Sequence, residues 1–460
     1  MPYENPLPEV RDAGIKFGCC NKCYGGLLSP TLSRLLDAVP TEQSALSPQS
    51  WPFDLALLPD SAYLVGGSVR DALLGRQAEY LDLDFVLPEK AIATARFIAQ
   101  QYGAGFVVLD ADHQIARVVF DNATVDFAQQ VGNNLEADLH RRDFTINAIA
   151  YHPHSESLLD PVNGHLDLQR RTLRMIAPKN LAEDPLRLLR AYRQAAQLGF
   201  SVDPATQETI RTLASLIDTV AAERVRGELD CLLSQAEGTP LLKLAWQDGV
   251  LQSWLPHISA HRLTELKNID HTFASLRLSL PAYAQLLTSW VREQTVPGLH
   301  RSWLKATKLS QLLAPDLETA EAQMSYLKYS RAEQQSILAI LKGWLYLQSV
   351  SSEELSRRQQ YMLFKLSGAS FMGIALLGLA QGLPEATIFP LIHRYLDPND
   401  PVAHPRPLLT GRDLMQHLNL RPGPQIGDLL EAIQIVQAEG ILTTQEDAIQ
   451  WAKEQLQVQS

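Results

Sequence analysis

The stretch Leu81–Leu87, LDLDFVL, constrains this chain more than any other. It is an apolar run of strand length that carries two carboxylates. Side chains of a strand alternate faces, so Asp82 and Asp84 share one face, and Leu81, Leu83 and Phe85 share the other. The run reads as a strand with one face bound for a core. The same alternation sets two like charges roughly 7 Å apart, where repulsion opposes ionisation of both.

The surroundings of this strand predict a mixed α/β unit. From Ala62, AYLVGG reads as a short buried strand and SVRDALLG as a helix opening. EKAIATARFIAQQYG reads as an amphipathic helix ended by Gly103, and GFVVLD, IARVVF and ATVDFAQ as further strands. After RRDFTINAIAY (Arg141–Tyr151) strand signals nearly vanish, and helical periodicity persists to about residue 395. LAEDPLRLLRAYRQAAQLGF is expected to be one helix, with acids and Pro185 in its first turn and a stop at Gly199. Residues 1–60, rich in Pro, Ser and turn residues, read as a loose leader followed by a first helix, with an amphipathic piece around Leu32–Leu36. A proline-rich stretch from Pro398 to Pro407 reads as a stiff linker, and two helices broken by Pro422-Gly-Pro424 are expected beyond it.

Composition removes several classes. The 460 residues, 46% of them hydrophobic, suffice for several cores and are too many for one. No stretch reads as a membrane span or a signal peptide, so a cytoplasmic protein without a membrane partner is expected. Three of the four cysteines cluster as CCNKC (Cys19, Cys20, Cys23). No second pair or nearby histidine completes a zinc site, and an accidental reduced cluster in a loose extension is expected. The net charge of −11 argues against nucleic-acid binding by bulk attraction, but arginines concentrate locally between Arg141 and Arg226.

Three segments carry chemistry. In LVGGSVRDALLGR a strand runs into Gly66-Gly67-Ser68 and a helix begins at once; glycines permit close backbone approach, and Arg70 can add a bidentate phosphate contact. Alone, the Gly-Gly pair fits an ordinary tight strand-to-helix turn better than a phosphate cradle. Asp82 and Asp84 suit Mg²⁺, because a divalent cation removes the repulsion that makes the pair costly. Asp126, in TVDFA, is the candidate third carboxylate, with a strand-edge acid as the alternative. In EDPLRLLRAYR, Asp184, Arg187, Arg190 and Arg193 are spaced by three and form a stripe along one helix flank. There Asp184 accepts from an exocyclic amine, Arg187 donates to a ring nitrogen or carbonyl, and the last two arginines neutralise phosphates; the alternative is a solvated, self-compensating face. RRDFTIN adds Arg141, Arg142, Asp143 and Asn147, where a carboxylate or amide can hold a ribose hydroxyl.

The ordered set GGSVRD, DLD, RRDFTINAIAY, EDPLRLLRAYR and ERVRGEL resembles the class II tRNA nucleotidyltransferase and bacterial poly(A) polymerase family over roughly residues 60–235. The resemblance implies an α+β fold: a nucleotidyltransferase head, with a mixed sheet and helices, then an all-α neck, body and tail. The expected division is a leader at 1–54, the head at 55–165, the neck at 166–235, the body at 236–396 and a tRNA-binding tail at 397–460. It implies addition of C and/or A from CTP and ATP to the 3′ end of tRNA, with two Mg²⁺ ions. By position, Gly67 and Arg70 bind triphosphate, Asp82 and Asp84 the metals, Arg141 a phosphate and Asp143 the ribose. Asp184 and Arg187 pair with the incoming C or A, with Arg190 and Arg193 supporting them, and Arg224 and Arg226 lie near the RNA. Between the metal strand and RRDFT, complete CCA-adding members carry a loop with a Gly-His-Thr-like stretch that helps the switch from C to A; GAGFVVLDADHQIARVVFDNATVDFA lacks it. A CC-adding or A-adding enzyme, a poly(A) polymerase and a catalytically silent RNA-binding protein stand as alternatives.

Overall fold

The computed structural model describes residues 44–77, 80–235, 238–289, 302–350 and 354–458. The cysteine cluster and the Leu32–Leu36 piece lie outside them. Strand β1 (Tyr63–Val65) leads through Gly66 into helix α1 (Gly67–Leu73), and LDLDFVL forms β2 (Leu81–Leu87). Helix α2 (Ala91–Tyr102) stops at Gly103, left-handed at φ 62°. Then come β3 (Gly105–Asp110), β4 (Ile115–Val119), β5 (Ala123–Gln129), α3 (Leu135–His140), β6 (Ala150–His152) and β7 (Ser157–Leu159). These seven strands form one sheet in the order β3-β4-β5-β2-β1-β6-β7. Only the central pair β2–β5 is parallel.

The two faces of β2 separate as its sequence dictates. Leu83 and Phe85 are buried with Val125 and Phe127 of β5 under α2. Phe85 and Phe127 stack at 5.5 Å, and Trp51 and Phe53 close the cluster edge-on against Phe85. Asp82 and Asp84 take the other face. The three-residue strands β6 and β7 are too short to leave a periodic signal, so they extend the sheet past the last expected strand.

The head continues into α4 (Gly164–Gln169), β8 (Thr172–Leu173), α5 (Pro178–Glu183), α6 (Leu186–Leu198), β9 (Ser201–Val202), α7 (Pro204–Leu213) and α8 (Ala222–Ser234). The single helix expected over LAEDPLRLLRAYRQAAQLGF is two. Asp184 lies between α5 and α6 in extended backbone, φ −133° and ψ 91°, because the residue before a proline is forced from the helical region. Past Gly238 the described residues form helices and their connections. Phe371–Ala380 is apolar on all sides and almost wholly buried. Together with Arg357–Ser367 it forms a stretch long and apolar enough to cross a membrane, contrary to the sequence expectation. The stretch is interrupted at Gly368 and mostly buried within the protein, as a core element is.

The Pro398–Pro407 stretch is a folded turn rather than a spacer. Asp400 accepts from the N–H of Val402 and Ala403 and pairs with Arg394 at 2.8 Å, while Val402 is buried in the main apolar core. Beyond it stand the two helices expected on either side of the Pro422-Gly-Pro424 break, Gly411–Leu418 and Pro424–Glu439, and a third, Gln445–Val458, follows them. They share a small apolar cluster of their own around Leu414, Leu429 and Ile433.

Candidate active site

A cavity of about 560 Å³ opens between β1–α1, the acidic end of β2, the Arg141–Asn147 loop and one flank of α6. Seven arginines and four carboxylates line it, so an acidic protein carries a locally basic pocket suited to a polyanion. Of the expected residues, Gly66, Gly67, Ser68, Arg70, Asp82, Asp84, Arg141, Asp143, Asn147, Arg187, Arg190 and Arg193 meet there. Asp126, Asp184, Arg224 and Arg226 do not line it.

Gly66 makes the close approach possible. It sits at φ +78°, and a Cβ there would stand 3.1 Å from Asp84 Oδ2. Burial, then the neighbouring Asp82 and Asp126, push the Asp84 carboxyl up to about 7, against the pull of Arg142 and Arg117. Asp82 Oδ1 accepts from Thr124 Oγ1 at 2.7 Å. A crowded acidic pair on an open face is a donor set that fits a divalent cation. Among the described residues, no group of three or more acidic, histidine or cysteine side chains is disposed around one point.

Asp126, the expected third carboxylate, is paired with an arginine in this structure. It lies directly beside Asp84 in the parallel register, but Arg117 Nε and Nη2 occupy its two oxygens at 2.7 and 2.8 Å. Arg117 precedes it on β4, and the register that joins them was not readable without the sheet.

The basic residues are held in place by buried acids. Asp138, 1% exposed, accepts from Arg141 Nε at 3.1 Å and Arg142 Nη2 at 3.3 Å. Their i, i+3 and i, i+4 spacing is a signal the sequence did contain. Arg142 lies beside Gly66, its Nη1 3.6 Å from the Cβ position there, and its charge acts on Asp84. Asn147 is a hub: it accepts from Arg70 Nη1 at 2.8 Å and donates to Asp143 and Gln194, both at 2.9 Å. Arg70 spends further donors on Asp71, so it braces α1 against this loop as well as lining the cavity. Asp143 Oδ1 also accepts from the Phe144 N–H, leaving Oδ2 3.7 Å from Arg190.

On α6 the stripe is real for the three arginines. Glu228, buried on α8, takes Arg190 Nε at 3.0 Å on one oxygen and Arg193 Nε on the other. Burial opposes the charge of Arg190, but Glu228 and Asp143 outweigh it and raise its pKa. Arg187 donates to the carbonyls of Arg141 and Asn180 at 3.0 and 2.9 Å, and burial pulls it below its usual range. Asp184, displaced from the helix by Pro185, pairs with Arg224 at 3.0 Å. Arg226 is committed elsewhere, donating to the Lys328 carbonyl and lying over the Tyr329 ring at 5.7 Å. Both partners lie in the segment expected to be the helical body. Arg76, Tyr80, Gln194 and Gln197 line the cavity unannounced by any motif.

A two-carboxylate strand beside a glycine-initiated helix, facing a basic pocket, defines a nucleotidyltransferase centre on a mixed sheet. Comparisons agree. The family model for the poly(A) polymerase head domain matches residues 62–131 and 128–174, that for the RNA and SrmB-binding site of polymerase A matches 199–262, and that for tRNA nucleotidyltransferase domain 2 matches 299–452. A CC-adding tRNA nucleotidyltransferase of Synechocystis sp. is 48% identical over 409 residues, 88% of this chain and 96% of the relative. One of Geobacter sulfurreducens is 33% identical, covering 86% and 92%. The solved Thermotoga maritima CCA-adding enzyme complexed with tRNA shares the fold with a TM-score of 0.64 at 20% identity, over 92% of this chain and 98% of that one. The chain belongs to the tRNA nucleotidyltransferase family, enzymes that add nucleotides to the 3′ end of tRNA.

Proposed function

We propose that this enzyme adds the two cytidylates, and not the terminal adenylate, to tRNA. The observation that carries this is the tightness of the interval between β2 and the RRDFT loop. No connection there exceeds five residues. The β3–β4 turn is pinned by Asp110, which accepts from the N–H of Asp112 and His113, both at 3.0 Å. That interval also lacks the Gly-His-Thr-like stretch of the switching loop of complete CCA-adding members. The names of the Synechocystis and Geobacter relatives support the same reading.

In the reaction the 3′-hydroxyl of the RNA attacks the α-phosphorus of CTP, a phosphodiester forms, and pyrophosphate leaves. Asp82 and Asp84 are the residues to hold two Mg²⁺ ions, which supply the positive charge that eases ionisation of the hydroxyl and departure of pyrophosphate. The glycines at 66 and 67 let the triphosphate approach the backbone, and Arg142 sits where Asp84 and that phosphate chain meet. Asp143, fixed by Asn147, offers Oδ2 to the ribose. Arg187 donates to the cytosine ring, while Asp184 reads its amine on release from Arg224. Arg190 and Arg193 arrive pre-positioned by Glu228, so less ordering remains to be done on binding. The work is assigned to the cytoplasm, where CTP and immature tRNA meet.

Three tRNA transcripts, ending at the discriminator base, at C or at CC, decide the matter with labelled CTP or ATP and Mg²⁺. CMP is expected on the first two and no AMP on the third. AMP on the CC transcript overturns the CC-only reading, and long tails on unrelated RNA identify a polymerase instead.

A further inference from the structure

The row of side chains that begins at Asp84 continues past the cavity. The registers set Asp84 beside Asp126, Asp126 beside Arg117 and Arg117 beside Val107. The next row runs Asp82, Thr124, Val119 and Gly105. Both rows lie on the sheet face opposite α2. Their far end is open, with Val107 49% and Val119 39% exposed. Arg117 spends Nε and Nη2 on Asp126, and its Nη1 donors go to no protein group among the described residues. The salt bridge therefore holds the guanidinium at a set place on the sheet with donors to spare. Arg117 stands two strands from β2, about 10 Å away.

The catalytic cavity walls only the nucleotide's side of the reaction, with α1, the Arg141–Asn147 loop and α6. The attacking hydroxyl must reach the same point above Asp82 and Asp84 from a side those elements leave free. An open sheet face with a fixed cation offers single-stranded RNA a phosphate contact on the arginine, and its apolar side chains can pack against sugars and bases.

We propose that this half of the sheet carries the 3′ end of the RNA. Arg117 takes the phosphate just before the terminal nucleotide, and Val107 and Val119 support the sugars and bases on either side. Arg117 is thus a positioning residue for the attacking strand. The proposal rests on the nucleotidyl-transfer reading and adds to it the path of the acceptor.

The test separates the phosphate contact from mere neutralisation of Asp126. R117A/D126N removes both charges, and R117K/D126N restores a cation alone. KM for the tRNA transcript is expected to rise about tenfold in the first and to recover most of that in the second, a pattern that KM for CTP does not follow. Val107→Asp, at an exposed site, is expected to raise KM for tRNA comparably without lowering the thermal midpoint. Wild-type KM for tRNA in R117A/D126N overturns the proposal, as does an equal defect in both double variants. So does a V107D protein that changes only its sedimentation, since the face then joins two copies of the chain. Filter binding of the transcript without CTP reads the same variants independently of turnover. An unmodified enzyme that incorporates no nucleotide refutes the nucleotidyl-transfer reading, and the binding arm still decides the platform.

Discussion

Asp84 carries the most consequential proton in the molecule. An ordinary aspartate titrates near 3.8; burial, with Asp82 and Asp126 alongside, places this one at about 7. Between those two values the unfolded chain has released the proton and the folded chain still holds it. Metal-free stability therefore falls as pH rises from about 4 to 7 and levels off above. The group's full effect is a few kcal/mol at most. Asp84→Asn, compared with the unmodified protein in chelator, is expected to match it at the acid end and to melt several degrees higher at alkaline pH. A difference in melting temperature that does not change with pH contradicts this. The same proton competes with the cation, so the Mg²⁺ concentration needed for half-maximal rate is expected to climb as pH drops below about 7.

At the scale of elements, α6 and α8 act as a pair. Glu228, in the apolar seam of α8, is buried yet carries two arginines, so α8 sets where the α6 stripe presents its charge. Glu228→Gln keeps the shape and removes the charge. Discrimination of CTP against UTP is expected to fall roughly tenfold, the equivalent of losing one charge-assisted hydrogen bond. The ratio of kcat/KM for the two nucleotides measures it. Unchanged discrimination with a lowered melting point would leave Glu228 a structural role only. Much of this level was readable beforehand: the period-two alternation of β2, Gly103 as a helix stop, and the order of the strands along the chain. The break at Asp184 was not, although Pro185 announced it, because acids and a proline also suit a helix's first turn. Asp126 read correctly as a strand acid, but its partner was invisible, since Arg117 reaches it only through an antiparallel register.

Across the whole molecule, the neck meets the body at a buried ionic cluster. Asp230, two residues beyond Glu228 on α8, lies 3.1 Å from Lys305 Nζ and accepts from Tyr329 Oη at 2.7 Å. Glu333 stands 3.6 Å from the same Lys305, which is 3% exposed. Burial raises the Asp230 carboxyl above its usual range in spite of Lys305. Lys305→Met strips the cluster of its buried cation and is expected to cost about 3–5 kcal/mol, the usual penalty for breaking a buried pair. Urea unfolding followed by tryptophan fluorescence checks it. A loss under about 1 kcal/mol would mean that water or a proton replaces the lysine without strain.

What the sequence determined alone was local and periodic. Alternation put two acids on one strand face, glycines and prolines punctuated the elements, and five short motifs in order marked residues 60–235 as the catalytic part of the chain. What only the tertiary structure decided was partnership. Arg70 turned inward to Asn147, Arg226 went to the body, Asp126 went to Arg117, and Asp138 and Glu228 emerged as the anchors of the basic pocket. The physical reason is that a side chain's charge is written in its residue type, but its work depends on the nearest opposite charge. In a mixed sheet followed by packed helices, that neighbour is supplied by chain registers and crossings far apart along the sequence.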